Sequence, residues 1–131
     1  MILVDTSVWI DYFNGVENRQ TENLDFILSE RTVLVGDIIL TEILQGFDRD
    51  NEFRLAKQAL DSLECVHLGG KSLAMKAASN FRFLRSKGIT IRKTVDMLIG
   101  SWCIEYEVDL LHNDKDFDRI ATQLPLQIYT F

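Results

Sequence analysis

The chain has 131 residues, of which 47% are hydrophobic and 26% charged, enough for one domain with an apolar core. No apolar run approaches the roughly 20 residues that span a bilayer, and no basic leader opens the chain. We therefore expect a single cytoplasmic domain over residues 1–131, without membrane contact. The net charge of −6 argues against a protein that binds nucleic acid over its whole surface.

The hydrophobic pattern predicts strands that alternate with helices. Short apolar runs predict strands at residues 2–5, 32–35, 65–68, 108–111 and 126–129. Apolar residues at helical spacing predict helices that begin near residues 8, 24, 38, 53, 73, 94 and 116. This alternation is typical of an α/β sandwich with a mostly parallel central sheet. The two cysteines, Cys65 and Cys103, lack metal-binding spacing, and we expect both to be reduced and buried.

Four acidic residues occupy positions that favour one edge of this sheet. Asp5 closes the first strand and Asp114 follows residues 108–113, so both are expected beyond the carboxyl ends of strands, where open α/β folds bind ligands. Asp96 lies in the first turn of a helix that runs about 18 Å away from that edge. The extended residues 108–113 return about 20 Å, so Asp96 and Asp114 finish on the same side. Glu42 lies near the start of a helix that overlooks this edge, and the arrangement requires no acid to be deeply buried.

Converging carboxylates repel one another unless a hard cation lies between them. The sequence therefore predicts a Mg²⁺ or Mn²⁺ site held by Asp5, Asp96 and Asp114, with Glu42 as a further catalytic acid. Such a metal would lower the pKa of a bound water and offset charge on a scissile phosphate, so no protein nucleophile is needed.

Each of these residues also has a purely structural interpretation. An acid in the first turn of a helix is stabilised by about 0.3–1 kcal/mol through the helix dipole, which by itself can account for Asp96. Thr6 and Ser7 can cap the first helix, or they can hydrogen-bond a site carboxylate or a metal-bound water.

Positive charge is concentrated in the segment that leads to Asp96. Residues 65–95 contain no Asp or Glu and carry seven of the fourteen basic residues, a charge of +7. The other seven basic and 20 acidic residues give −13 for the rest of the chain. The segment is either a solvated helix face or a strip that follows a nucleic-acid backbone. Under the second interpretation, the RNA-binding candidates are Arg82, Arg85, Lys87, Arg92 and Lys93.

Four short segments resemble the motifs of PIN-domain ribonucleases, especially the VapC-type toxins of bacterial toxin–antitoxin pairs. They are residues 5–11 (DTSVWID), 41–46 (TEILQG), 91–99 (IRKTVDMLI) and 111–117 (LHNDKDF), in order along nearly the whole chain. The resemblance implies a PIN-like three-layer α/β/α sandwich in which Asp5, Glu42, Asp96 and Asp114 match the family's acids. Asp116, in the last motif, is a secondary candidate.

The resemblance further implies a homodimeric, Mg²⁺-dependent endoribonuclease that cuts structured RNA, such as tRNA or rRNA, and is neutralised by a cognate antitoxin. Two alternatives stay open. The protein can be a non-catalytic PIN-like binding module whose acids are caps or partner contacts. It can also be a metal-dependent nuclease of another substrate class, similar to the DNA flap and 5′-nucleases.

Overall fold

A four-stranded parallel sheet forms the centre of the computed structural model, which describes residues 1–131. The strand order is β3-β2-β1-β4, and every neighbouring pair is parallel. The elements in chain order are β1 (Ile2–Val4), α1 (Thr6–Phe13), α2 (Arg19–Glu30), β2 (Val33–Gly36), α3 (Asp37–Leu44), α4 (Asp50–Asp61), β3 (Glu64–Val66), α5 (Lys71–Ser86), α6 (Thr94–Tyr106), β4 (Asp109–Leu111) and α7 (Lys115–Ala121). The expectation of an α/β sandwich with a mostly parallel central sheet is confirmed.

The core lies on the two central strands. Every residue of β1 and β2 is buried, as expected for strands covered by helices on both faces. Helices α5 and α6 pack against each other, with α7 against α6, while α1 packs against α2 and α3. No helix of the protein combines the length and the apolar character needed to cross a bilayer.

The order of the strands creates a crevice at the carboxyl end of β1. From β1 the chain adds β2 and then β3 on one side, whereas β4 pairs with the opposite side of β1. Ligands of open α/β sheets bind at such a switch point, outside the carboxyl ends of the two strands that flank it. Asp5 directly follows β1, and Asp114 lies three residues beyond β4.

Two local predictions are wrong. The predicted strand at 126–129 is reduced to a single bridge between Ile128 and Leu110, because the Leu126 N–H bonds to Leu124 O in a local turn and cannot extend the ladder. Cys65 is exposed, because β3 is an edge strand with two exposed residues, whereas Cys103 is buried as expected.

Candidate active site

Asp5 is held rigidly at the carboxyl end of β1. It is the N-cap residue of α1, and its Oδ2 accepts hydrogen bonds from Ser7 N at 3.1 Å and from Ser7 Oγ at 2.6 Å. The Asp5 N–H donates to Leu111 O at 2.9 Å, which ties this turn to β4. Burial raises the pKa of the Asp5 carboxyl, the Ser7 hydrogen bonds oppose that rise, and the charge of Glu42 adds to it. Asp5 is therefore a buried acid with one oxygen fixed by Ser7.

Ser7 joins the two turns that flank the crevice. Its Oγ donates to Asp5 and accepts from Asn113 N at 3.1 Å. Asn113 precedes Asp114, the N-cap residue of α7, whose Oδ1 accepts from Asp116 N at 2.9 Å. One hydroxyl thus sets the position of the segment carrying Asp114 relative to Asp5.

Asp96 is the most perturbed acid of the site. It lies in the first turn of α6 and is 6% exposed. Its pKa is raised from 3.8 to about 7, chiefly by burial and also by the charges of Asp5 and Asp114, while Lys93 opposes this rise. Its Oδ2 is buried without a hydrogen-bond partner. An ionised Asp96 therefore has the charge of Lys93 in its favour but no hydrogen-bond donor at Oδ2.

Glu42 and Thr6 form the other wall of the site. Thr6 Oγ1 donates to Glu42 Oε1 at 2.8 Å, and the charge of Glu42 contributes to the raised pKa of Asp5. Thr6 and Ser7 are thus neighbours in sequence that each orient one acid. Thr6 and Ser7 do not cap α1, because Asp5 is its N-cap residue, and each instead hydrogen-bonds an acid of the predicted site.

Asp116 also lies among these carboxylates, but it is paired with arginines. It is 3% exposed, and its charge contributes to the raised pKa of Asp96. Arg119 Nη1 donates to Asp116 Oδ1 at 3.1 Å, and Arg92 Nε lies 3.5 Å from Oδ2. The sequence reasoning missed Arg119, although its spacing of three residues from Asp116 on a helix was an available signal.

The five basic residues predicted to bind RNA are all exposed, and they fall into two groups. Arg85 lies over the Phe81 ring and Lys87 over the Phe83 ring, at 5.5 and 5.6 Å from the ring centroids, while Arg82 lies on the same helix. The remaining two, Arg92 and Lys93, lie beside the acids. Arg92 forms an ion pair with Asp116, and the charge of Lys93 lowers the pKa of Asp96.

The donor set fits a hard divalent cation. It consists of carboxylate oxygens, and the buried Asp96 Oδ2 has no partner. A cation here would supply that partner and relieve the repulsion that raises the pKa of Asp96. No group of three or more His, Cys, Asp or Glu side chains is arranged to hold a metal ion, and Mg²⁺ usually keeps several waters and takes only one or two carboxylates. The cavity of about 390 Å³ at the carboxyl-terminal end of α6 contains none of these acids.

Comparisons with known proteins agree with the fold and its motifs. The profile of the PIN-domain family matches residues 2–123. Ribonuclease VapC11 of Mycobacterium tuberculosis and VapC ribonuclease Mb1587 of Mycobacterium bovis are each 31% identical over 133 residues, covering 100% of this chain and 99% of theirs. The chain belongs to the PIN-domain family, among the VapC ribonucleases.

Solved structures share the fold of this PIN-domain protein. VapBC2 of Rickettsia felis, bound to a promoter DNA fragment, matches with a TM-score of 0.75 at 22% identity, covering 98% of each chain. VapC20 of Mycobacterium tuberculosis, described as a sarcin-ricin loop cleaving toxin, matches with a TM-score of 0.69 at 17% identity, covering 95% of this chain and 96% of that one. At these identities the structures show a shared fold.

The structure brings the predicted acids to one edge, and their catalytic and metal-binding roles stay predictions. Asp5 and Asp114 lie close enough to Asp96 for their charges to raise its pKa, and the charge of Glu42 raises the pKa of Asp5. Their burial was not foreseen, since Asp5 and Asp96 are only 5% and 6% exposed. The site is thus more shielded from water than its sequence positions require.

Proposed function

We propose that this PIN-domain protein is a Mg²⁺- or Mn²⁺-dependent endoribonuclease, the toxin of a type II toxin–antitoxin pair, which cleaves structured RNA such as tRNA or rRNA. The observation that carries the proposal is the Asp96 carboxylate. It is buried, its Oδ2 has no partner, and the charges of Asp5 and Asp114 act on it. Such a set of acids is unfavourable in the fold unless a cation compensates it.

The assigned roles follow from the contacts of each acid. Asp5, Asp96 and Asp114 supply oxygen donors, and Ser7 keeps the Asp5 side chain in one orientation. A bound Mg²⁺ or Mn²⁺ supplies a water of lowered pKa and positive charge beside the scissile phosphate. Glu42 has one oxygen occupied by Thr6, which leaves Oε2 to accept a hydrogen bond from a site water.

The partners follow from the family and from the electrostatics of the edge. The VapBC complexes among the structural neighbours support an antitoxin as the protein partner, and we propose that it covers this edge with an Arg or Lys side chain among the carboxylates. A complex whose partner leaves the acids uncovered would contradict this. We also propose a cytoplasmic homodimer, which light scattering of the purified protein tests.

The proposed function is tested by incubating the purified protein with tRNA and rRNA in Mg²⁺, Mn²⁺ or EDTA. We expect cleavage in the two metals and none in EDTA. Asp96→Asn should abolish cleavage with an unchanged circular dichroism spectrum, whereas Asp48→Asn, an exposed acid outside the site, should cleave normally.

Other outcomes separate the alternatives. Cleavage of DNA in place of RNA would indicate a nuclease of another substrate class. Absence of both cleavage and metal binding would indicate a binding module. Cleavage sites mapped after induced expression would then identify the RNA, because RNA recognition by shape leaves no short signature in the protein sequence.

A further inference from the structure

Asp116 is a buried carboxylate shared by two arginines at the rim of the acidic site. The carboxyl side chain is 4% exposed, whereas the side chains of Arg92 and Arg119 are 76% and 43% exposed. A carboxylate this deeply buried requires charged partners, because an unpaired buried charge is strongly destabilising. Asp116 has two arginine partners, although its Oδ2, like that of Asp96, accepts no hydrogen bond.

Arg119 connects α7 to the segment that leads from α5 to α6. Its Nη1 donates to Asp116 Oδ1 at 3.1 Å, on α7 itself, and to Thr90 O at 3.3 Å, in that segment. The segment continues into the first turn of α6, which carries Asp96, while Asp116 follows Asp114 by two residues. The contact therefore fixes the entry of α6 relative to α7.

Arg92 is held differently from the other basic residues near the site. Its Nε lies 3.5 Å from Asp116 Oδ2, an ion pair without a hydrogen bond, and Oδ2 has no other partner. The Arg92 side chain makes no hydrogen bond within the protein and is 76% exposed, which leaves its outer nitrogens free. A guanidinium with free outer nitrogens binds a phosphate through two parallel hydrogen bonds. By contrast, Arg85 and Lys87 lie over aromatic rings on α5.

We propose that Arg92 binds an RNA phosphate next to the scissile one, and that Asp116 is a positioning residue that holds Arg92 and Arg119 at the rim. The inference rests on the proposed function in that it takes RNA as the ligand. It assigns Asp116 to the arginines and removes it from the set of metal ligands. It also gives Arg92 a direct phosphate contact, whereas the other basic residues of the segment 65–95 contribute only long-range attraction to RNA.

The decisive test is the sign of the effect of Asp116→Asn on RNA affinity. Loss of one negative charge by itself strengthens binding to a polyanion. If Asp116 holds Arg92, the same substitution weakens binding. We expect a loss of about tenfold in the affinity for a fluorescent tRNA in EDTA, where no cleavage occurs. Asp48→Asn removes an exposed charge outside the site and should leave binding equal or slightly tighter.

Arginine variants complete the test. Arg92→Ala should weaken RNA binding to a similar degree and reduce the slope of log affinity against log salt by about one. Arg92→Lys should keep the salt slope but recover only part of the affinity, because an ammonium cannot bind bidentately. Arg54→Ala, an exposed arginine on α4, is the matched control with unchanged binding.

Three results would overturn the inference. The first is unchanged or tighter RNA binding by Asp116→Asn, and the second is wild-type binding by Arg92→Ala. The third is loss of the Mn²⁺-induced rise in melting temperature in Asp116→Asn, which would make Asp116 a metal ligand. Should Asp116→Asn fail to fold, Arg119→Lys replaces it in the same two measurements. It should bind RNA more weakly than the wild type and retain the Mn²⁺-induced rise in melting temperature. RNA binding is read in EDTA, so an absence of cleavage by the wild type would refute the proposed function and leave this test intact.

Discussion

Asp96 makes the metal-free protein less stable as the pH rises. Its pKa is 3.8 in the unfolded chain and about 7 in the fold, so the folded state keeps a proton that the unfolded state has lost between these values. Stability therefore falls from about pH 4 to pH 7 and is level above that. The full pKa shift of Asp96 corresponds to a loss of at most about 4 kcal/mol in the free energy of unfolding. Because Asp96→Asn is similar in shape and cannot ionise, it should stabilise the metal-free protein by about 1–4 kcal/mol at pH 8.

The pH dependence distinguishes this effect from ordinary repacking. At pH 5 the folded wild type is protonated at Asp96, so the gain from Asp96→Asn should be smaller than at pH 8 by about 2 kcal/mol. Urea denaturation in EDTA at pH 5, 6, 7 and 8 measures the gain, with exposed Asp48→Asn as the control that shows no such trend. The reasoning fails if Asp96→Asn is less stable than the wild type at pH 8, or if its gain does not change with pH.

Three further predictions concern the metal, the hydroxyl that joins the two turns and the salt response. At a concentration 100 times its dissociation constant, Mn²⁺ should stabilise the wild type by about 2.7 kcal/mol. Asp5→Asn should lose this response in thermal melts. A full response in Asp5→Asn would contradict the role of Asp5 as a metal ligand. Ser7→Ala should destabilise the protein by about 1–3 kcal/mol in urea and lower its cleavage rate, because Asp5 loses its 2.6 Å hydrogen bond and Asn113 N loses its acceptor; an unchanged rate would show that Ser7 does not position the site. RNA affinity should fall steeply between 50 and 200 mM salt. An affinity that does not change with salt would indicate that the basic segment is only a solvated helix face.

The positions of the acids could be predicted because they follow from chain geometry. A residue that ends a parallel strand reaches the ligand-binding edge whatever its neighbours are, which placed Asp5 and Asp114. The position of Asp96 could be predicted because the helix that begins beside it and the extended segment that leads back to Asp114 have similar lengths. These arguments need only the element types, and α6 and β4 lie close to their predicted bounds.

The contacts that orient the acids could not be predicted in the same way. Ser7 and Asn113 are 106 residues apart, so their hydrogen bond depends on how β1 and β4 pair. The arginine pair on Asp116 depends on where the segment before α6 crosses α7, which no local pattern encodes. Burial of Asp5 and Asp96 likewise arises from packing of α6 on the sheet. The positions of these residues in the sequence predicted only that they lie at the carboxyl-terminal edge of the sheet. Such details are set by tertiary contacts.

Calorimetric titration of Mn²⁺ into the EDTA-treated, dialysed protein tests most directly whether the converging carboxylates form a divalent-cation site. The wild type should give a saturable binding isotherm that strengthens from pH 6 to pH 8, because binding displaces the proton that Asp96 holds with a pKa of about 7. Asp96→Asn should lose this isotherm, while Asp48→Asn should retain it. Saturable wild-type binding in Asp96→Asn, or none in the wild type, would contradict the account.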